Sequence, residues 1–172
     1  MTVRTIRLAG DPTLRAKCDP IKNFNGEALL AADLRDTLLD FIKRNGLGHG
    51  IAAPQIGIKK RAIYVVTDDF EGEMLNPRIV SHSDKEFVSW DACFSFKAAI
   101  FVKVRRWEEV TMEYFTVEGG RRSLHADGLL SALLQHEVDH LDGILFVDRQ
   151  VREGDHIIMR EEWENLGSPF RI

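Results

Sequence analysis

Gln135-His136-Glu137-Val138-Asp139-His140-Leu141-Asp142-Gly143 is the most informative stretch of the chain, because its two histidines stand four residues apart. On an α-helix that spacing puts both imidazoles on one face, one turn apart, where they can share one ion. The helix is expected to start near Asp127 and run to about Leu141, with Gly143 as its stop. On a wheel with Leu129 at the origin and about 100° per residue, His136 and His140 fall at about −20° and +20°, and Glu137 at about 80°. Leu130, Leu133, Leu134, Val138 and Leu141 fan over the same half of the circle, while Ser131, Gln135, Asp139 and Asp142 take the other side. Both histidines and Glu137 are therefore expected to face the apolar interior. A buried carboxylate without a partner is costly. A divalent ion on His136 and His140, with a water for Glu137 to hold, accounts for all three, with Glu137 as the acid/base of a hydrolytic reaction.

Working outward, Glu27 to Arg44 carries Leu29, Leu30, Leu34, Leu38, Phe41 and Ile42 at helical spacing, with charges on the other face. Asn45, Gly46, Gly48 and Gly50 stop that helix, and Gly48 to Gln55 reads as a loop of small residues. Strand-like runs follow at Arg61–Val66, Met74–Val80, Glu86–Ser89, Ile100–Val104 and Val110–Val117, and Glu118-Gly119-Gly120-Arg121 reads as a hairpin turn. Asp155 to Asn165 is expected to form a short final helix, ended by Gly167, Ser168 and Pro169. Strands in the middle and helices at either end predict an α+β fold: mostly antiparallel strands packed around a central metal-binding helix, with an N-terminal helix.

At 172 residues the chain is expected to form one domain, residues 1–172. A net charge of −4 argues against a nucleic-acid or anionic-membrane partner. No apolar run approaches the ~20 residues that span a bilayer. The opening MTVRTIRLAGDPTLR lacks the apolar stretch of a signal peptide, which makes the cytoplasm the expected location. Cys18 and Cys93 do not suggest a disulfide framework; each reads first as a small buried hydrophobe.

A catalytic site of this kind normally has a third protein ligand and one open position. The metzincin arrangement needs a histidine six residues after the second, and that position holds Phe146. A downstream glutamate remains possible on spacing, at Glu161, Glu162 or Glu164. Cys93 is the other candidate, since a thiolate is a strong ligand.

Three segments in this order, Gly48–Gln55, Asp91–Ser95 and Gln135–His140, make the chain resemble the peptide deformylases over about residues 5–150. That family carries a G-hydrophobic-G-hydrophobic-A-A-x-Q loop, an E-G-C-hydrophobic-S segment and a Q-H-E-hydrophobic-D-H helix. Asp11 to Arg15, Asn76-Pro77 and Ala126 to Leu130 are similar as well. The resemblance implies that Cys93, His136 and His140 hold one divalent ion, iron(II) in most members, with zinc, nickel or cobalt as alternatives. It implies that Glu137 moves protons, that the Gln55 amide and the Phe94 backbone N–H hold the oxyanion, and that Gly50 hydrogen-bonds the peptide. The substrate implied is an N-formylmethionyl peptide, met at the ribosome by a monomeric enzyme.

The chain departs from the pattern at several places beside the expected site. Asp91, Ala92 and Phe94 replace the usual Glu, Gly and Leu, and His49 and Leu47 stand where Ile or Val and Glu are frequent. Leu133 borders the expected methionine pocket. His49 is expected to face solvent, and Arg106 to serve as a structural ion pair or a functional group with equal weight. The cluster of His49, Phe94 and Leu133 motivates a second reading, a deformylase-like paralogue with altered specificity. A small metalloprotease with a glutamate ligand and a non-catalytic binding protein are the competing classes; the latter should have lost Glu137 or a ligand, and has not.

Overall fold

The computed structural model describes residues 2–152 and 157–167. Helix α1, Ala28–Asn45, is followed by strands β1 (Gly50–Ala52), β2 (Ala62–Val66), β3 (Glu71–His82), β4 (Glu86–Asp91), β5 (Ile100–Trp107), β6 (Glu109–Phe115) and β7 (Arg121–Asp127). Helix α2 spans Gly128–Leu141, strand β8 Ile157–Met159, and helix α3 Arg160–Asn165. The strands make a five-stranded sheet in the order β1-β2-β3-β6-β7 and a three-stranded sheet in the order β4-β5-β8. Every strand pairing in both sheets is antiparallel, as the sequence predicts.

The layers follow from β2. Its residues Ala62 to Val65 are all buried because the strand has an element on each face. Ala62 and Tyr64 join Leu30, Leu34, Leu38 and Phe41 of α1 in one core cluster. Ile63 and Val65 join Leu134 and Leu141 of α2, with Met74 and Met112, in another. Leu34 and Leu38 are wholly buried; each is worth roughly 1.5–3 kcal/mol relative to exposure. Cys93, Val102, Val104 and Phe146 form a third cluster under the small sheet. Helix α1 stops at Gly46, whose left-handed backbone (φ 70°) lets its N–H reach Ile42 O at 2.8 Å. Leu29, placed on the apolar stripe by the periodicity, is 65% exposed.

Several local expectations are corrected. Gly50–Ala52, read as loop, is an edge strand paired with β2, and a 3-10 helix over Ala53–Ile56 follows it. β7 has no apolar alternation, only Ala126 being buried, and exists because its backbone pairs with β6 along its whole length. The C-terminal segment is a strand before it is a helix: Ile157–Met159 pairs with β5, and only Arg160–Asn165 is helical. Asp155, the expected start of that helix, and Ser168 and Pro169, two of its expected stops, lie outside the described residues.

The wheel for α2 is also half wrong. Leu129 is 39% exposed, whereas Ser131, Gln135 and Asp139 of the supposed outward face are buried. They can be buried because each finds partners in the tertiary structure. Ser131 Oγ and Gln135 Nε2 donate to Trp107 O at 2.9 and 3.0 Å, Gln135 Oε1 accepts from Trp107 N at 3.1 Å, and Asp139 pairs with Arg106 and Arg149 at 2.6 and 2.7 Å. The helix is enclosed on both faces, one apolar and one hydrogen-bonded to β5. The inward placement of His136, Glu137 and His140 stands, since all three are buried.

Candidate active site

α2 supplies His136 and His140 from successive turns, and the segment after β4 supplies Cys93. Cys93 Sγ lies 3.2 Å from His140 Nε2, which lies 3.1 Å from His136 Nε2. All three ligand atoms fall within 4.8 Å of one another, and all three residues are buried. A tetrahedral ion with ordinary zinc–nitrogen and zinc–sulfur bond lengths would hold neighbouring ligand atoms about 3.3–3.6 Å apart, and the two pairs that His140 Nε2 makes, at 3.2 and 3.1 Å, stand within a few tenths of an ångström of that. A metal cation is a partner that both buried imidazole nitrogens and the sulfur can share. These residues fit a single metal ion.

Asp91 sets the orientation of the first ligand. Its carboxylate accepts from His136 Nδ1 at 2.8 Å, which fixes the proton there and turns the Nε2 lone pair toward the cluster. Arg106, itself buried, donates to Asp91 at 3.0 Å and to Asp139 at 2.6 Å. One guanidinium thus ties β5 to the end of β4 and to the metal helix between its two histidines. Burial pushes the Asp91 carboxyl up, but the His136 and Arg106 charges outweigh it and hold it at about 2. Burial lowers His136, and Asp91 more than reverses this, leaving it well above the ordinary histidine range. His140 has no such carboxylate, and burial together with the His136 charge keeps it well below.

Glu137 is 2% exposed and its Oε2 has no hydrogen-bond partner among the described residues. Burial raises it to about 7. It lines a cavity of about 460 Å³ together with Gly48, His49, Gly50, Gln55, Cys93, Phe94, Leu133 and His136. Gly50 is needed there by close approach: a Cβ on it would lie 2.5 Å from Glu137 Oε1. Gln55 plays two parts. Its Oε1 accepts from Ala52 N at 2.8 Å, a loop-capping bond, and this aims Nε2 at Cys93 Sγ and Ser95 Oγ, both at 3.4 Å. Phe94 packs on Phe41, centroids 3.9 Å apart, and its ring fills the space beside Gly48, where a Cβ would meet it at 2.5 Å. The turn behind Phe94 holds Lys97 and Ala98 at φ 57° and 49°, two consecutive left-handed residues that are not glycine.

His49 does not face solvent as expected. It is half-buried, its Nδ1 donates to Val66 O at 3.1 Å, and it lines the cavity. Glu161, Glu162 and Glu164 lie on α3 and join no ligand cluster among the described residues. The sequence reading missed the part played by Asp91, whose place two residues before Cys93 was the available signal. It also missed Ser89, Trp90, Ala132, Arg160 and Trp163, which complete the cavity wall and carry no local signature.

An α+β fold with a Cys/His/His cluster and a buried glutamate on the same helix defines a metal-dependent hydrolase of the HExxH kind. A family model described as polypeptide deformylase matches residues 3–155. The peptide deformylase of Parafrankia sp. (strain EAN1pec) is 38% identical over 175 aligned positions, covering 98% of this chain and 92% of that one. That of Thermus thermophilus is 35% identical over 163, covering 86% and 82%. Crystal structures of peptide deformylases from Thermotoga maritima (TM-score 0.81, 28% identity, 88% and 99% covered) and from Thermus thermophilus (TM-score 0.80, 36% identity, 87% of each) share the fold. The chain belongs to the polypeptide deformylase family.

Proposed function

We propose that the chain removes the N-formyl group from the N-terminal methionine of newly made polypeptides, releasing formate. What supports this is one juxtaposition: Cys93, His136, Gln55 and the unpartnered carboxylate of Glu137 line a single cavity, with His140 closing the ligand cluster behind them. Cys93, His136 and His140 would hold the ion, which when bound polarises the formyl carbonyl and makes water nucleophilic near neutral pH. Glu137 takes a proton from the attacking water and passes it to the amine nitrogen as the C–N bond breaks. Gln55 Nε2, held by its bond to Ala52, and the Phe94 backbone N–H donate to the developing oxyanion. Gly50 sits on β1, an edge strand, and offers backbone groups to an extended peptide. His49 and Leu133 contact the substrate from the cavity wall.

Iron(II) as the native ion, a monomeric state, a cytoplasmic location and encounter with substrate at the ribosome are part of this reading, on family likeness. No helix among the described residues is long and apolar enough to cross a membrane. Protein purified without oxygen should carry one equivalent of iron and release formate from formyl-Met-Ala-Ser. Glu137→Ala should keep the metal and lose about 10²–10⁴-fold in kcat; unchanged turnover would overturn the mechanism. Cys93→Ala should lose the metal, whereas retention would deny Cys93 a place among the ligands. A second reading, a member with altered substrate choice, is favoured by His49, Phe94 and Leu133 all lining the cavity. Turnover of formyl-Met-Ala-Ser at the rate of ordinary deformylases would remove it.

A further inference from the structure

The two groups that would donate to the oxyanion stand on separate short turns. Gln55 belongs to the 3-10 turn Ala53–Ile56, closed by Gly57 in the left-handed region (φ 83°). Phe94 opens the 3-10 turn Phe94–Phe96, closed by Lys97 (φ 57°). A 3-10 turn has few hydrogen bonds and aligns them poorly, so its direction is set largely from outside. The side-chain links between the two turns are long, Gln55 Nε2 standing 3.4 Å from both Cys93 Sγ and Ser95 Oγ. In the first turn, Gly57 N donates to Ala53 O and Pro54 O. In the second, Cys93 O accepts from Phe96 N and Ala98 N, Phe94 O from Lys97 N, and Phe96 O from Ala99 N. Gln55 O and Ser95 O are the carbonyls that these bonds leave over, and one stretch of chain takes both. Arg7 N donates to Gln55 O at 2.7 Å, and Ala9 N donates to Ser95 O at 2.8 Å.

Two residues of extended chain span at most about 7 Å, so this stretch limits how far apart the two turns can stand. The Arg7 and Ala9 side chains are exposed, so the hold is through the backbone. Its ends are tied down elsewhere. Thr2 N and Arg4 N donate to Asp36 and Thr37 of α1 at 3.0 and 2.9 Å, and Arg4 pairs with the buried Asp33 at 2.7 Å. On the other side, Asp11 accepts from Thr13 N at 2.8 Å, and Leu14 is wholly buried.

We propose that Arg7 to Ala9 form a positioning strap for the oxyanion site: the Arg7 N–H sets the Gln55 amide, and the Ala9 N–H sets the backbone N–H of Phe94. The inference rests on the deformylase reading. Neither Arg7 nor Ala9 lines the cavity, so each acts through the donor it orients.

Cys18 permits a test that changes single atoms. A synthetic segment of residues 1–17 is joined to residues 18–172 by native chemical ligation at Cys18, with one amide N–H replaced by an ester oxygen at position 7, 8 or 9. The all-amide product, refolded and loaded with metal, is the reference. The ester at 8 is the control, since the Leu8 N–H donates to no group among the described residues. Esters at 7 and 9 should each lower kcat on formyl-Met-Ala-Ser by about 3- to 30-fold, below the ~10²–10³ that a whole oxyanion donor supplies. KM and metal content should hold. In a Gln55→Ala background the ester at 7 should cost nothing further, while the ester at 9 keeps its full effect. A loss from the ester at 7 as large in Gln55→Ala as in the reference would mean that it acts on the structure at large, and would overturn the proposal. Reference kcat with both esters, or an equal loss from the ester at 8, would overturn it as well. Arg7→Pro and Ala9→Pro remove the same two N–H groups without ligation and should show the same pattern against Gln55→Ala, which decides the matter if the ester proteins do not refold. A metal-loaded reference protein that releases no formate would instead overturn the deformylase reading itself.

Discussion

Replacing Gly50 with alanine tests the placement of the acid/base without touching it. The backbone there is not in the left-handed region, so alanine adds no strain of its own; the new Cβ meets the Glu137 side chain. It would stand 2.5 Å from Oε1 and 2.9 Å from Cδ and Cγ, where ordinary contact begins at 3.4 Å. The carboxylate must therefore withdraw by about 0.9 Å, out of its place and into the cavity it lines. A displacement of about 1 Å can cost 10²-fold in rate, within the 10²–10⁴ that a positioned proton carrier supplies. Gly50→Ala should thus lose about 10²-fold in kcat on formyl-Met-Ala-Ser and retain its metal, since no ligand atom is among those the Cβ touches. Overpacking at a buried site costs roughly 1–3 kcal/mol, and at this chain length each kcal/mol lowers Tm by about 2–4 °C. Combined with Glu137→Ala, the substitution should add almost nothing to the loss, because both act through one carboxylate. Wild-type turnover by a metal-replete Gly50→Ala protein would show that Glu137 does not work from the place it occupies.

Asp91→Asn replaces the carboxylate that fixes the His136 tautomer and should weaken metal affinity about 10- to 100-fold, read by competition with a chelator; unaltered affinity would deny Asp91 that role. Arg106→Ala leaves the Asp91 and Asp139 carboxylates short of a buried partner and should cost roughly 3–5 kcal/mol, seen as a shifted denaturation midpoint. A loss below about 1 kcal/mol, the range of an exposed pair, would mean the bridge is not needed. Burial pushes the Cys18 thiol from an ordinary 9.0 to about 11, so the folded state holds this proton more tightly than the unfolded one. Its contribution is therefore fully present below pH 9 and fades as pH rises toward 11, by about 2–3 kcal/mol in all. Denaturant titrations across that range should show Cys18→Ala declining less steeply than the native protein, and parallel curves would contradict the assignment.

Much of the site was legible because its signals are local. The helix of His136, Glu137 and His140 follows from a four-residue spacing and a capping glycine, and α1 from a stripe at 3.6-residue period; both patterns are set by neighbours along the chain. The Cys93 position was readable through its motif and its fixed order with the other two. The strands with apolar alternation were legible for the same reason, whereas β7 was not, since its backbone is held by pairing with β6 and its side chains are mostly polar.

The sequence by itself determined which residues can carry metal and proton chemistry, and which faces of α1 and α2 carry leucines, since these depend on side-chain type and helical period alone. Only the tertiary structure decided what surrounds them. Ser131, Gln135 and Asp139 look solvent-facing until Trp107 and Arg106 arrive from β5. His49 looks exposed until Val66 offers its carbonyl, and Trp163 reaches the substrate cavity because β8 pairs with β5 and carries α3 to its wall. Each of these outcomes turns on a hydrogen bond or a packing contact between residues 17 or more positions apart. The free energy of burying a polar group depends on whether such a partner is present, and no periodicity in the sequence records that.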